Sequence, residues 1–120
     1  MLSSYKDLKV WQKSIDLVLE LYKITNLFPK SEIYGLVSQM RRSAVSIPSN
    51  IAEGYSRKHR QEYAQFIRVV FASGAELETQ IIISKELKFV SEKEFNRLEI
   101  LLVEVMKMLN GLNSALLTKP

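Results

Sequence analysis

The last quarter of the chain carries the pattern that most restricts its fold. Apolar residues recur there in alternating steps of three and four, at Phe95, Leu98, Leu102, Val105, Leu109, Leu112 and Leu116. This spacing places all of these side chains on one face of a helix, as in the seam of a coiled coil. The segment therefore predicts a long amphipathic helix whose apolar face must be covered by other helices.

The start of this helix carries its own signal. Ser91 and Glu94 stand three residues apart, as in a capping box, and Val90 and Phe95 flank them as a hydrophobic staple would. We expect the Ser91 side chain to cap the helix.

Three earlier segments show helical spacing as well. The first runs from about Asp7 to Asn26, with Ser4 or Asp7 as its cap, and carries two apolar stripes: Leu8, Trp11, Ile15, Val18 and Tyr22, and Val10, Leu17, Leu21 and Ile24. The second runs from Ser31, as N-cap, to about Glu53, with Gly54 as the residue that ends it. The third runs from about Arg60 to Leu87, and one of its faces carries Tyr63, Ile67, Val70, Gly74, Leu77 and Ile81.

The second helix departs from local rules. Its core face is regular, at Leu36, Met40, Ala44, Ile47 and Ile51, but its interior contains Pro48. Proline removes one helical hydrogen bond and clashes with the preceding turn, at a cost of about 3 kcal/mol. We therefore predict a kink near Pro48.

A polar stripe shares this helix with the apolar face. Gln39, Arg42, Ser46, Asn50 and Glu53 follow one another in steps of three and four. Polar groups that become buried need hydrogen-bond partners. We expect this stripe, together with Glu76 and Gln80 of the third helix, to form a structural polar network that sets the register of the two helices.

Short connections join the four segments, and short connections make successive helices antiparallel neighbours. Residues 1–120 therefore predict one domain, an all-α, antiparallel, up-down-up-down four-helix bundle. Three of the helices carry more apolar residues than one buried face requires. Because exposed apolar area typically marks a protein–protein interface, we expect a homo-oligomer.

Signatures of enzymes and of cofactor sites are missing from the sequence. It has no cysteine, a single histidine at His59, and four isolated glycines that form no phosphate-binding loop. We expect no enzyme activity, no cofactor and no metal site. The lack of cysteine, of a signal-peptide pattern and of a long apolar run favours a cytoplasmic protein that does not cross a membrane.

The positive charge is concentrated in the first half of the chain. The net charge is +4, and residues 1–60 hold ten Lys and Arg against five Asp and Glu. Four basic residues cluster between the second and third helices, Arg57, Lys58, His59 and Arg60. These residues are typical of phosphate contacts, although a solvated loop explains them equally well. Arg57, Lys58, Arg60 and Arg41 are the candidate nucleic-acid contacts.

Several motifs resemble one known family. They are Asp7-Leu8, Val10-Trp11-Gln12, Phe28-Pro29-Lys30, Tyr34-Gly35-Leu36, Ser38-Gln39, Arg41-Arg42, Ser46-Ile47-Pro48, Asn50-Ile51-Ala52-Glu53-Gly54, Arg57, Glu62-Tyr63 and Glu76-Leu77-Glu78-Thr79-Gln80. This pattern, which spans nearly the whole chain, resembles the bacterial four-helix-bundle proteins encoded in intervening sequences of 23S ribosomal RNA genes. It also looks distantly like the accessory proteins of diversity-generating retroelements.

The resemblance implies a homopentamer and suggests a partner that is RNA or DNA. Our functional hypothesis is a non-enzymatic, oligomeric protein that contacts structured RNA, such as ribosomal RNA or its intervening sequence, through a basic surface. The alternative is a homo-oligomeric scaffold that recruits a protein partner and binds no nucleic acid.

Overall fold

The computed structural model describes residues 4–118, and of the last two of these only the backbone. Four α-helices account for most of this range: α1 (Lys9–Thr25), α2 (Leu36–Tyr55), α3 (Arg60–Glu86) and α4 (Asn96–Thr118). No strand occurs within the described residues. The all-α, four-helix prediction is therefore confirmed, whereas the antiparallel order and the kink stay predictions.

The helices form an elongated bundle that measures 48 × 24 × 22 Å. The largest helix contact is between α2 and α3. In addition, α1 packs on α2 and α4, and α4 packs on α1 and α3. The predicted faces of α2, α3 and α4 contribute to the core, which includes Met40, Ile47, Ile67, Leu77, Leu98, Val105 and Leu109, together with Phe95 just before α4. The apolar spacing of these three helices thus predicted the central part of each buried face, whereas Leu36, Tyr63, Leu112 and Leu116 near the ends of these faces are half-buried.

In α1 the structure decides between two apolar stripes. Val10, Leu17, Leu21 and Ile24 are buried in the core. The other stripe lies at the margin of the bundle, where Trp11, Ile15 and Val18 are half-buried and Tyr22 is exposed. One helix of a bundle turns only one face to its neighbours, so the second stripe remains at the surface.

The predicted helix starts need correction. Ser4 accepts a hydrogen bond from the Lys6 amide, but it caps a short 3-10 turn that precedes α1 rather than α1 itself. A second 3-10 turn occupies Lys30–Glu32, so α2 begins later than Ser31, at Leu36. A third 3-10 turn follows Ser91, and the Ser91 side chain makes no cap hydrogen bond there with any described residue. In all three places a 3-10 turn held by backbone hydrogen bonds precedes the α-helix, so the helix starts later than the expected cap would place it.

The predicted end of α2 is also wrong. Gly54 does not end the helix but is buried inside it, one residue before its last residue, Tyr55. A β-carbon at Gly54 would lie 2.9 Å from the β-carbon of Phe66 and 3.0 Å from a ring carbon of Tyr63. Glycine is therefore required here because α3 packs closely on this turn of α2.

Candidate nucleic-acid interface

The basic loop joins the end of α2 to the start of α3. Arg57, Lys58, His59 and Arg60 are all exposed. Because α3 begins at Arg60, the amides of its first turn face this loop and add a partial positive charge. The loop is therefore a site of positive potential at the surface.

Arg57 is partly engaged within the chain. Its Nη2 lies 3.1 Å from Oε2 of Glu53, and its guanidinium carbon lies 4.9 Å from the ring centroid of Phe66. Both members of this ion pair are exposed, and such pairs contribute little to stability. Arg57 can therefore exchange Glu53 for a phosphate at small cost.

Arg41 lies apart from the basic loop. It lies 14 residues before Tyr55, the last residue of α2, which corresponds to about 21 Å at about 1.5 Å per residue, and Arg57 follows beyond that end. Its Nε donates to Oγ1 of Thr25 at 3.0 Å and its Nη2 donates to Oδ1 of Asn26 at 2.9 Å. The four predicted contacts therefore form two separate basic regions, and Arg41 also clamps α2 to the end of α1.

Part of the predicted polar network lies between α2 and α3. The hydroxyls of Ser46 and Ser73 are 2.8 Å apart, and Nδ2 of Asn50 donates to both the carbonyl and the hydroxyl of Ser46. One turn away, the Ser43 hydroxyl donates to Oε1 of Glu76 at 3.0 Å. The structure thus joins the two helices through small hydroxyl side chains.

The remaining predicted members of the network differ in their surroundings. Gln39, Arg42 and Glu53 are exposed on the outer side of α2. Gln80 is buried, at 5% exposure, and its Oε1 has no hydrogen-bond partner among the described residues.

Two participants, Ser43 and Ser73, were missed from the sequence. Ser43 follows Met40 by three residues and precedes Ile47 by four, and Ser73 stands in the same relation to Val70 and Leu77. This spacing places both serines on the core-facing sides of their helices and could have identified them.

A groove runs along the start of α2 beside the end of α1. We call it the Tyr34 groove, and it has a volume of about 630 Å³. Its lining residues are Tyr22, Ile33, Tyr34, Val37, Ser38, Arg41, Arg42, Val45 and Ser46. Tyr34 is 95% exposed, and the guanidinium carbon of Arg41 lies 4.4 Å from the centroid of the Tyr22 ring. Arginines and tyrosines therefore share one concave surface, which the sequence did not reveal because the contributing segments meet only in the folded chain.

Tyr63 is a titratable group whose pKa is clearly shifted by its surroundings. Burial, and secondarily the nearby Tyr55, raises the pKa of Tyr63 from 10.0 to about 12. The Tyr63 hydroxyl is buried without a hydrogen-bond partner among the described residues, and its ring meets that of Tyr55 edge-on. An apolar surrounding disfavours the charged phenolate, which explains the direction of the shift.

Two further properties of residues 4–118 concern metals and membranes. No group of three or more histidine, aspartate and glutamate side chains in this range is placed to hold a metal ion. None of the helices in the same range has the length and apolar character that a bilayer span requires.

Together, the fold and its surface define a small all-helical bundle protein with a basic loop between its second and third helices. A family model described as "23S rRNA-intervening sequence protein" matches residues 6–111. The chain belongs to this family. A comparison with curated proteins found no match.

A solved structure supports the fold independently. It is the crystal structure of a protein of unknown function from the S23 ribosomal protein family of Bacteroides thetaiotaomicron VPI-5482. The two structures superpose with a TM-score of 0.80, over 87% of this chain and 97% of the other, at 16% sequence identity. This similarity concerns the architecture of the bundle.

Proposed function

We propose that this protein is a non-enzymatic, homo-oligomeric nucleic-acid-binding protein that contacts structured RNA, either 23S ribosomal RNA or its intervening sequence. The observation that carries the proposal is the cluster of exposed basic side chains at the α2–α3 loop. The family description supports ribosomal RNA as the partner, since it names the 23S rRNA intervening sequence. A cytoplasmic location, where ribosomal RNA is found, is part of the proposal.

The proposed binding is electrostatic. Lys58 and the engaged but exchangeable Arg57 present their charges to solvent, and Arg60 lies at the first position of α3. Contacts of this kind are made to phosphates and position a nucleic acid without reading its bases. We therefore propose affinity that depends strongly on salt and weakly on sequence.

The test is binding of a labelled 23S rRNA fragment at low and at physiological salt. The variant Arg57→Ala/Lys58→Ala/Arg60→Ala removes the loop charges. A matched control, Lys9→Ala/Lys23→Ala/Arg68→Ala, removes the same charge from exposed residues of α1 and α3. We expect the loop variant alone to weaken binding and to lower the slope of log affinity against log salt by about 0.7–0.9 for each phosphate that the protein no longer neutralises.

Each result has a distinct meaning. Equal losses of affinity in the two variants would show that net charge, rather than the loop, carries affinity. Binding that resists the loop changes would move the site elsewhere. No binding of the wild-type protein at either salt would overturn the nucleic-acid proposal.

Self-association is the second part of the proposal, and exposed apolar residues on two sides of the bundle support it. On α1, Leu19 is exposed and borders an apolar groove of about 420 Å³ that includes Trp11 and Pro48. On α3 and α4, the exposed residues are Val69, Ile82, Ile83, Ile100 and Val103. Two different apolar faces suit a head-to-tail ring, and we propose the pentamer that the family resemblance implies.

The same faces favour a second candidate function, a homo-oligomeric scaffold that recruits a protein partner. Light scattering at micromolar concentration tests the assembly. A monomer would contradict both the oligomeric nucleic-acid-binding protein and the oligomeric scaffold. An oligomer that shows no salt-dependent RNA affinity would favour the scaffold.

A further inference from the structure

We infer that the Tyr34 groove holds one unpaired nucleotide of a bound nucleic-acid strand, with its base against Tyr34 and its phosphate at Arg42. The inference rests on the proposed function and adds to it a second contact site, distant from the basic loop. The groove volume of about 630 Å³ lies within the usual range of small-ligand sites, about 300–1,000 Å³.

Arg42 is the anion-binding group of this site. It is exposed and makes no hydrogen bond or ion pair with any residue that the structure describes. It differs in this respect from its neighbour Arg41, whose guanidinium is held in place. A guanidinium without a protein partner is available to bind a phosphate through paired N–H donors.

Arg41 supplies fixed positive charge beside Arg42. Its hydrogen-bond partners, the Thr25 hydroxyl and the Asn26 amide oxygen, are neutral, so its charge is not cancelled. Neither aspartate nor glutamate is among the described residues that line the groove. The lining therefore carries two positive charges and no negative charge, which favours an anionic ligand over a neutral or cationic one.

Tyr34 supplies the stacking surface. Its side chain is 95% exposed, so its ring faces solvent rather than the core. Tyr22, by contrast, already has Arg41 over its ring. Aromatic rings stack on any base that is not already stacked in a duplex, and this requirement makes the inferred ligand an unpaired nucleotide.

The test compares a labelled single-stranded RNA of about eight nucleotides with the same strand in a duplex, by fluorescence anisotropy. We expect Tyr34→Ala to weaken binding of the single strand by about 5- to 150-fold and to leave duplex binding unchanged. Tyr34→Phe keeps the ring and is expected to bind as the wild type does. Because Tyr34 is almost fully exposed, these changes leave the core intact.

A second variant tests the phosphate contact. Arg42→Gln is expected to lower the salt slope for the single strand by about 0.7. Arg68→Gln removes the same charge from α3, where Arg68 is exposed, and is expected to leave the slope unchanged.

The outcomes separate this inference from the proposed function. If the wild type binds RNA but the Tyr34 and Arg42 variants match it, the groove site is wrong and the function stands. An equal loss of affinity for single strand and duplex also contradicts the site. If Tyr34→Ala changes the subunit number in light scattering, the groove is a contact between copies and the inference is overturned. If the wild type binds neither probe, both proposals are wrong.

Discussion

The hydroxyl of Ser46 in α2 lies 2.8 Å from the hydroxyl of Ser73 in α3, where these two helices make the largest contact of the bundle. Ser73 is buried and Ser46 is half-buried. Asn50 donates to the same Ser46 hydroxyl at 2.9 Å, so three side chains share one hydrogen-bond cluster. A polar cluster that is satisfied in only one arrangement favours one register of two helices over its neighbours.

This relationship predicts coupling between the two serines. Ser46→Ala removes the hydroxyl that partners Ser73, and Ser73→Ala leaves the Ser46 hydroxyl with Asn50 alone. Each change is expected to lower the free energy of unfolding by about 1–2 kcal/mol. The double variant should cost less than the sum of the single variants, by about 0.5–1.5 kcal/mol. Urea denaturation of the four proteins in this cycle measures the difference. Additive changes would show that the two hydroxyls do not depend on each other.

The close packing of α3 on Gly54 predicts that a side chain at this position destabilises the protein. An added β-carbon would lie 2.9 Å from the Phe66 β-carbon, which cannot move without its backbone. We expect Gly54→Ala to lower the free energy of unfolding by about 1–3 kcal/mol. Gly111 in α4 has no atom within 4 Å of the corresponding position, and Gly111→Ala should instead raise stability by about 0.5–1 kcal/mol. Thermal melts of both variants check the opposite signs, and two shifts in the same direction would contradict the close packing.

Arg41 is a candidate nucleic-acid contact, but its hydrogen bonds to Thr25 and Asn26 predict that it also contributes to stability. Lysine keeps the charge but cannot bond Thr25 and Asn26 together with the geometry of a guanidinium. We expect Arg41→Lys to lower the free energy of unfolding by about 1–2 kcal/mol, measured by urea denaturation. Arg42→Lys, a change at the neighbouring residue that has no partner among those described, is the control and should change stability by less than about 0.5 kcal/mol. Equal effects would show that the clamp adds nothing.

Tyr63 predicts a loss of stability at alkaline pH. The pKa of Tyr63 is raised from 10.0 to about 12 in the folded chain, so the unfolded chain releases this proton first as the pH rises. The stability linked to this proton is complete below pH 10 and is lost between pH 10 and 12. Tyr63→Phe has no proton to release, and its free energy of unfolding should fall less steeply over that range.

Chemical denaturation at several pH values measures this slope. Tyr34→Phe makes the same chemical change at an almost fully exposed ring and should keep the wild-type slope. At neutral pH we expect Tyr63→Phe to be as stable as the wild type or more so, because it removes a buried hydroxyl that has no partner among the described residues. A wild-type slope in Tyr63→Phe would contradict the assignment.

The candidate sites show how far the sequence could be followed. The basic loop could be predicted because its four residues are adjacent in the chain and polar enough to remain exposed. The Tyr34 groove could not be predicted, because it combines Tyr22 near the end of α1, residues 33 and 34 just before α2, and one side of α2. Arg41 and Arg42 cannot be distinguished by residue type. In the folded chain Arg41 is hydrogen-bonded to Thr25 and Asn26, whereas Arg42 makes no such contact with the described residues.

The sequence by itself determined the number of helices and most of the buried faces of α2, α3 and α4. Apolar residues that recur every three or four positions fall on a single face of a helix, and that is the face that packs against its neighbours. The tertiary structure alone decided which stripe of α1 enters the core and that α2 continues through Gly54. Both depend on how closely a neighbouring helix approaches. Local spacing carries no information about that distance, since it is set by side chains such as Tyr63 and Phe66 on another helix.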